Sequence, residues 1–533
     1  MSIDVKTIQK KELCQDRIIL SKNIQIPIDD LEKPENANVL IVSGAGAGKL
    51  ACYTEPNIMQ ADSSYIISDP GGMEYSHCRK FLEYMGYKVK CLNLIHMENS
   101  NHYNPFRYIH CDKDIEVLAE TLFKNTVPSG GYEGEHSFLK AEKTLLAALF
   151  TYLHYHVSEK EQTLSAVIGL LNVADADEKC PSVRTTLDLI FDDVEECDPD
   201  SFAVKQYKIA RITAGRMWPS VIRSLLKRLK VFNGQEIAEL TNTDDIGLDS
   251  MGDEKTALFI IIPTGEKTYN FLAAALYSQF FKTASDYCEN AAEFTQLVMD
   301  GKGHLARCYK AGSHEESEKM AEKAKDFLER AKHGYIRKNE LYDRYELITE
   351  DGEVFGYRGS KEDAESVMTA IREGGYVIQK RRKYLPLRIR VLLNSFANIG
   401  TITDFPKVIS TVFRYGISVS VYVDSYVQLR RLYELEWPVI TQNCGTTLYL
   451  GGGTDCVTAT WLSERMAGSV TGLTKSFLGR RPKSRIREWG IMRLPHDECI
   501  VMRSGRPAYK DKKYKTVDHP NRKAELFCGE IQK

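Results

Sequence analysis

A glycine-rich loop that follows a short apolar strand constrains this chain more than any other stretch. Val39–Val42 is an apolar run of the kind that forms a buried parallel strand. After Ser43 the chain places small residues around one lysine: Gly44, Ala45, Gly46, Ala47, Gly48, Lys49 and Leu50. Glycines let backbone N–H groups turn inward around an anion, and a lysine here reaches the outer phosphates of a nucleotide. The stretch therefore predicts a phosphate-binding loop between a strand and a helix.

Two positions of this loop depart from the expected pattern. Ser43 stands where the pattern has glycine, so a Cβ occupies a position expected to need glycine dihedrals. Leu50 stands where the pattern has Ser or Thr, whose hydroxyl normally binds Mg²⁺. ATP is therefore a candidate ligand, held weakly and without metal by Lys49 and the amides of Gly44, Gly46 and Gly48, whereas Mg²⁺ binding is doubtful.

Composition excludes several classes of protein. The chain has 533 residues and a formal net charge of −2, so any nucleic-acid surface must be local. Its 13 cysteines form no CxxC pair, which disfavours a zinc site or a disulfide scaffold and fits a reducing compartment. The N-terminus is charged and no apolar run reaches the length of a membrane span. We expect a cytoplasmic protein without a transmembrane segment, or one held peripherally at the inner membrane face by partners.

The order of apolar patterns predicts an α/β fold with two insertions. Strand and helix patterns alternate in residues 38–111, 246–300 and 386–515, which predicts a mostly parallel sheet with helices on its faces. Residues 112–245 carry only helical patterns and predict an all-α domain. Residues 301–385 predict a charged helix with a small α/β module. Residues 1–37 form a polar lead-in, 516–533 form a tail, and no internal repeat is evident.

Taken together, several segments resemble the TraG-like type IV coupling proteins, the conjugation ATPases that pass DNA to a type IV secretion channel. The resemblance covers about residues 35–300 and 385–520. The segments that carry it are Asn38–Lys49, Ser63–Pro70, His102–Phe106, Phe202–Tyr207, Lys255–Phe259 with Ile262 and Pro263, Phe396–Gly400, and Asn443–Leu448 without Gly445.

The resemblance implies a RecA-like P-loop NTPase core and an all-α domain that faces the channel entrance. It also implies a hexameric ring around DNA, with ATP and Mg²⁺ as cofactors. The implied partners are a relaxase–DNA complex and type IV secretion channel components.

The second nucleotide motif of the family is altered here. In the family an apolar strand ends in Asp-Glu, where the aspartate orders Mg²⁺ and the glutamate polarises the attacking water. Asn394 and Ser395 stand at these positions. Asn394 could still coordinate a metal through its amide oxygen, with Asp69 as the other candidate ligand. Ser395 cannot act as a general base near neutral pH, a loss worth roughly 10²–10⁴-fold in rate.

Three further departures cluster on the same site. The family's Asp-Pro-Lys-Gly-Glu turn is Asp69-Pro70-Gly71-Gly72-Met73 here, which loses a lysine and an acid. Asp424 replaces the glutamine expected after the strand Ile417–Val423. Arg414 stands at a shifted position relative to the family's arginines, which puts a role as an arginine finger in doubt. The set as a whole predicts a pseudo-ATPase with the fold retained.

Two basic stretches have either a solvated or a phosphate-contacting role. One lies in the all-α domain: Lys205, Lys208, Arg211, Arg216, Arg223, Lys227, Arg228 and Lys230. The other comprises Arg480, Arg481, Lys483, Arg485 and Arg487. A solvated face is the default, and contact with DNA would show as binding that weakens steeply with salt.

Three functions remain open. The first is a coupling-protein homologue of conjugative DNA transfer, with impaired ATP hydrolysis, that engages DNA or a relaxase–DNA complex for delivery to the channel, as a homo- or mixed hexamer. The second is an active ATP-driven DNA translocase with metal bound by Asn394 and Asp69. The third is a non-functional remnant of a mobile element. ATP turnover separates the first two, and salt-sensitive binding of DNA or relaxase separates the first from the third.

Overall fold

One large sheet carrying two insertions organises the chain, as seen in a computed structural model. The described residues are 17–28, 36–126, 136–174, 184–265, 267–291, 295–302, 304–309, 311, 314–340, 344–380, 384–470 and 488–522. The basic cluster Arg480–Arg487 lies outside them.

The described residues contain strands β1 to β17. Their bounds are β1 Arg17–Ile19, β2 Gln25–Pro27, β3 Val39–Ser43, β4 Ser64–Pro70, β5 Lys88–Asn93, β6 Thr256–Ile262, β7 Thr295–Met299, β8 Leu305–Tyr309, β9 Tyr335–Asn339, β10 Arg344–Ile348, β11 Val354–Arg358, β12 Tyr376–Lys380, β13 Ile389–Leu393, β14 Ile417–Val423, β15 Thr446–Gly451, β16 Glu498–Arg503 and β17 Tyr509–Lys512.

The α-helices of the described residues are α1 to α18. Their bounds are α1 Glu55–Ile58, α2 Met73–Tyr84, α3 Asp112–Asn125, α4 His136–His156, α5 Leu164–Asn172, α6 Thr186–Cys197, α7 Phe202–Ala214, α8 Trp218–Leu229, α9 Gln235–Leu240, α10 Asn270–Asp286, α11 His314–Lys332, α12 Lys361–Gly374, α13 Phe396–Ile399, α14 Phe405–Val408, α15 Tyr426–Tyr433, α16 Trp437–Gln442, α17 Cys456–Val470 and α18 Glu488–Met492.

The large sheet has nine strands in the order β17-β16-β15-β3-β14-β13-β4-β6-β5. Every pair from β15 to β5 is parallel. Strands β16 and β17 extend the β15 edge with antiparallel pairs. The prediction of a mostly parallel sheet is confirmed, and β17 is an addition that the sequence pattern did not predict.

Both faces of the sheet are covered, which explains its long apolar runs. Leu40 and Val42 of β3 point into one hydrophobic cluster, whereas Val39 and Ile41 point into the other. Strands buried on both faces lose the alternating pattern typical of half-exposed strands. This is why TALFIII of β6 is buried at every position.

Helices α3 to α9 form the all-α domain between β5 and β6. Its core continues from the sheet through residues such as Leu145, Leu149 and Trp218, all fully buried. The pattern over 203–230 predicts one helix, but the structure has two, α7 and α8. Gly215 separates them with a φ of 50°. Such a positive φ cannot continue a right-handed helix.

The second insertion consists of two halves with the same order of elements, a feature the sequence pattern missed. Each half is a hairpin, a helix and a strand: β7-β8-α11-β9 and β10-β11-α12-β12. The last strand of each half pairs antiparallel with the first strand of the other half, β9 with β10 and β12 with β7. The insertion therefore contains an internal repeat. It begins at Thr295, within the stretch 246–300 that the pattern assigned to the core.

No helix among the described residues is both long and apolar enough to cross a membrane.

Candidate phosphate-binding site

The glycine-rich loop leaves β3 at the carboxyl edge of the sheet and enters a π-helical turn, Leu50–Thr54, that continues into α1. Gly46 and Gly48 have φ angles of 72° and 81°. The N–H groups of Ala45, Gly46 and Gly48 donate to no acceptor in the described part of the chain. Free amides on a left-handed glycine turn form a cradle for an anion.

Ser43 and Gly44 differ from what the sequence pattern predicts. Ser43 is the buried last residue of β3 and has no positive φ, so its Cβ causes no backbone strain. The Gly44 N–H is not one of the amides without an acceptor, because it donates to the Gly451 carbonyl at 2.9 Å. The cradle is therefore formed by amides further along the loop.

A second glycine loop, Gly451–Gly453 at the end of β15, packs directly on the first. Its three residues have φ angles of 77°, 84° and 81°. A Cβ on Gly44 would lie 2.2 Å from the Gly452 oxygen and 2.4 Å from the Gly453 oxygen. Close backbone approach therefore requires glycine at position 44. The run of three glycines in the sequence was the signal that could have revealed this contact.

Lys49 is held by the neighbouring strand. Its Nζ lies 2.6 Å from Oδ1 of Asp424, which follows β14. The Asp424 N–H donates to Oε1 of Gln428 at 3.0 Å. The Lys49–Asp424 pair is partly exposed, so it contributes little to stability. A phosphate bound at this loop would compete with Asp424 for the Lys49 ammonium.

Asn394 and Ser395 lie at the end of β13, beside β14. The Asn394 Nδ2 donates to Oε1 of Glu74 at 2.6 Å. Glu74 belongs to the first turn of α2, one residue beyond the position where the family has its acid. The acid expected at position 73 is absent, as the sequence indicates, but the structure places the carboxyl group of Glu74 against Asn394. The only sequence signal for this contact was a glutamate at a helix start after β4.

Asp69 lies in the same buried cluster as Glu74 and Asn394. The Tyr75 N–H donates to Asp69 Oδ2 at 2.7 Å. Asp69 is 0% exposed and Glu74 is 3% exposed. Burial, with a hydrogen bond to Asp69 and repulsion by its charge, raises the pKa of Glu74 to about 9. Glu74 therefore carries a proton near neutral pH.

The residues present do not reproduce the family's Mg²⁺ site. Leu50, half-buried at the start of the π-helical turn, offers no ligand atom. Asn394 has an amide where the family has a carboxylate. This amide donates a hydrogen bond to Glu74, whose raised pKa keeps its carboxyl group protonated near neutral pH. Ser395 has a φ of 51° and is the residue before α13, and a serine hydroxyl supplies no negative charge. No group of three or more His, Cys, Asp or Glu residues that could hold a metal occurs in the described ranges.

Arg414 is not brought to the loop of its own chain. It lies in a 3-10 turn, Val412–Tyr415, directly before β14. Asp424 follows the other end of this seven-residue strand, and a strand of that length spans roughly 20 Å. Arg414 is exposed at the amino edge of the sheet, opposite the edge that carries Lys49.

The carboxyl-terminal part of the chain packs behind the phosphate loop, where the sequence predicted only the end of the core and a tail. The His496 Nε2 lies 3.1 Å from the Gly46 carbonyl oxygen. The Lys513 Nζ donates to the Ala47 carbonyl at 2.7 Å. The Thr516 Oγ1 donates to the Ala51 carbonyl at 2.5 Å. Three successive segments therefore brace the loop from its carbonyl side.

Four of the eight basic residues in the all-α domain that were candidates for DNA contact form ion pairs. Lys205, Lys208 and Arg211 form ion pairs with Asp200, Glu195 and Asp188. Arg228 is buried, and it pairs with Glu142 and donates to two backbone carbonyls. It cannot belong to a solvated or phosphate-contacting face.

Comparison with known proteins identifies the family. The family described as "Type IV secretory system Conjugative DNA transfer" matches residues 6–300, more than half of the 533 residues. The family described as "TraM recognition site of TraD and TraG" matches residues 388–489. A search of curated proteins found no match.

Solved structures of the conjugative coupling protein TrwB share the fold. The unbound monoclinic form of TrwBdeltaN70 is 13% identical with a TM-score of 0.52, over 93% of this chain and 88% of that chain. The complex of TrwB with the non-hydrolysable ATP analogue ADPNP is 13% identical with a TM-score of 0.51, over 93% and 89%. At this identity the likeness shows the RecA-like P-loop fold alone. From the match over residues 6–300, the chain belongs to the type IV secretory system conjugative DNA transfer family, the TraG-like coupling proteins.

Proposed function

We propose that this chain is a coupling-protein homologue that binds nucleotide in conjugative DNA transfer and hydrolyses ATP poorly or not at all. It engages DNA or a relaxase–DNA complex for delivery to the secretion channel, as a homo- or mixed hexamer. The observation that carries the proposal is a contrast within one site: the loop keeps free amides and Lys49, whereas Asn394 and Ser395 stand in place of the acids of the second motif and the pKa of the neighbouring Glu74 is raised to about 9.

The cradle supports binding of a nucleotide phosphate. Free amides, two left-handed glycines and Lys49 converge at the carboxyl edge of β3. A related fold has been solved with an ATP analogue, which supports nucleotide as the ligand class. We expect ADP and ATP to bind without Mg²⁺, through the loop and Lys49.

The second motif supports slow hydrolysis. Phosphoryl transfer to water needs an oriented water and a stabilised negative charge on the phosphate. A general base must be ionised near the working pH, whereas Glu74 holds its proton until about pH 9. Ser395 supplies no carboxylate. We expect turnover at least roughly 10²-fold below that of an intact site.

Calorimetric titration together with a turnover assay tests this proposal. Wild-type protein should bind ADP equally in EDTA and in Mg²⁺, and Lys49→Ala should weaken binding at least roughly tenfold because a charge-assisted contact is lost. ATP turnover with single-stranded DNA should match the rate of Lys49→Ala. Turnover that DNA stimulates and Lys49→Ala abolishes would overturn the proposal.

An active translocase is a second candidate, and the position of Glu74 beside Asn394 favours it. If Glu74 replaces the family's acid during turnover, Glu74→Gln should abolish a measurable wild-type rate. If no rate exists, Glu74→Gln changes nothing. Binding of single-stranded DNA that weakens steeply with salt then supports the first proposal over a non-functional remnant.

A further inference from the structure

Lys513 is a buried ammonium placed directly behind the phosphate cradle. It is 5% exposed, and its Nζ donates to the Ala47 carbonyl at 2.7 Å. No carboxylate of the described residues lies within ion-pair distance of it. A buried charge without a counter-ion is unfavourable, so an arrangement of this kind is expected to gain from a nearby anion.

The peptide group that Lys513 contacts is part of the cradle. The Ala47 carbonyl and the Gly48 N–H belong to one planar trans peptide, and they point in opposite directions. Lys513 therefore lies on the outer side of the peptide whose N–H faces the cradle. A hydrogen bond to a carbonyl polarises its peptide group and strengthens the N–H as a donor.

From this geometry we propose that Lys513 is a second cationic residue of the anion site, which acts through the Ala47–Gly48 peptide on a bound phosphate. The proposal rests on the proposed nucleotide function and deepens it. In this family Mg²⁺ offsets the charge of the phosphates, and this chain lacks both of its anchors at Leu50 and Asn394. A fixed ammonium behind the loop offsets part of the same charge without a metal.

The neighbouring titratable groups do not neutralise Lys513. Cys52, Cys499 and Asp497 are the groups whose charges act on it, and burial lowers the pKa of its ammonium. Asp497 is exposed and already pairs with Lys512 at 2.5 Å. A phosphate in the cradle would restore the pKa of Lys513 toward its ordinary value.

The test is calorimetric titration of the full chain with ADP and with inorganic pyrophosphate, both in EDTA. Lys513→Gln keeps an amide donor for the Ala47 carbonyl but removes the charge, and Lys513→Met removes both. Lys510→Met is the matched control, because Lys510 lies on β17 near Lys513, is exposed and pairs with Glu498 rather than with Asp497. We expect both Lys513 variants to weaken binding roughly 10–100-fold and Lys510→Met to leave it within twofold.

Proton uptake gives a readout that a purely structural role would not change. Wild-type protein should take up protons when ADP, whose phosphates are already fully ionised, binds at pH 9 and at pH 10, measured from the binding enthalpy in buffers of different ionisation enthalpy. Lys510→Met should retain this uptake and Lys513→Gln should lose it. The wild-type measurement stands even if a Lys513 variant does not fold.

The outcomes separate the two proposals. Wild-type affinity in Lys513→Gln, or no proton uptake by wild-type protein on binding, overturns the role of Lys513 and leaves nucleotide binding standing. No binding of ADP or pyrophosphate by wild-type protein overturns both.

Discussion

The position of Glu74 changes how the second nucleotide motif is interpreted. From the sequence, Asn394 and Ser395 indicate that the second motif has lost its acids. In the structure the carboxyl group of Glu74 lies against Asn394 and beside Asp69. Two neighbouring buried carboxyl groups cannot both ionise at low cost, and this raises the pKa of Glu74. Glu74 is therefore uncharged near neutral pH, whereas the family has ionised carboxylates at its second motif.

The pH dependence of stability should report the raised pKa of Glu74. The pKa of Glu74 is about 9 in the folded chain against an ordinary 4.5, so the folded state binds the extra proton between these values. Stability linked to Glu74 is therefore full below about pH 4.5 and falls as pH rises toward about 9. Glu74→Gln should raise the free energy of unfolding at pH 8 by roughly 1–3 kcal/mol.

Urea unfolding of both proteins from pH 5 to 9 measures this difference. Glu83→Gln is a suitable control, since Glu83 lies on the same helix and pairs with the exposed Arg79. A difference between wild type and Glu74→Gln that does not grow with pH would contradict the raised pKa of Glu74.

At the scale of elements, the phosphate loop depends on contacts that are remote in sequence. The Gly451–Gly453 loop meets Gly44, and Lys513 meets Ala47. Parallel pairing of β15 with β3 brings the two glycine loops to the same edge of the sheet. The loop's shape is therefore set by its neighbours as well as by its own glycines.

Alanine substitutions at Gly44 and Gly46 should separate the effect of a steric clash from the effect of a strained backbone conformation. Gly44→Ala places a Cβ within 2.4 Å of two backbone oxygens, which cannot rotate away, so we expect a loss of at least about 3 kcal/mol and of ADP binding. Gly46→Ala meets no atom within 4 Å but must adopt a φ of 72°. Its cost should be about 1–2 kcal/mol.

Thermal unfolding and ADP titration of both variants measure these effects. Equal destabilisation by the two substitutions would show that the Gly451–Gly453 loop moves to accommodate a side chain at position 44.

At the scale of the whole molecule, the second insertion closes on itself. Its first and last strands pair, with Thr295 opposite Lys380, so the chain enters and leaves side by side. The two halves exchange their last strands. Helix α11 packs against β7 and β8 of the first half, and α12 packs against β10 and β11 of the second half. Contact with the core includes Arg344, which donates to the Glu83 carbonyl at 2.7 Å.

Excision of the module should therefore spare the core. Replacing residues 295–380 by a short Gly/Ser linker should keep ADP binding and lower the melting temperature by less than about 5 °C. Deleting only 344–380 removes the partners of β7 and β9 and should produce aggregation or a non-cooperative melt. Loss of the core fold on full excision would show that the module is an integral part of it.

The sequence by itself determined the fold class, the order of core elements and the glycine-rich turn after β3. These follow from local causes: strands buried on both faces are continuously apolar, and a cradle for phosphate needs closely spaced glycines. Only the tertiary structure decided what surrounds the loop. Glu74 at Asn394, Asp424 at Lys49 and Lys513 behind Ala47 are joined across hundreds of residues by sheet order, which no local pattern encodes. The repeat in the insertion was likewise hidden, because each half completes its sheet with a strand of the other.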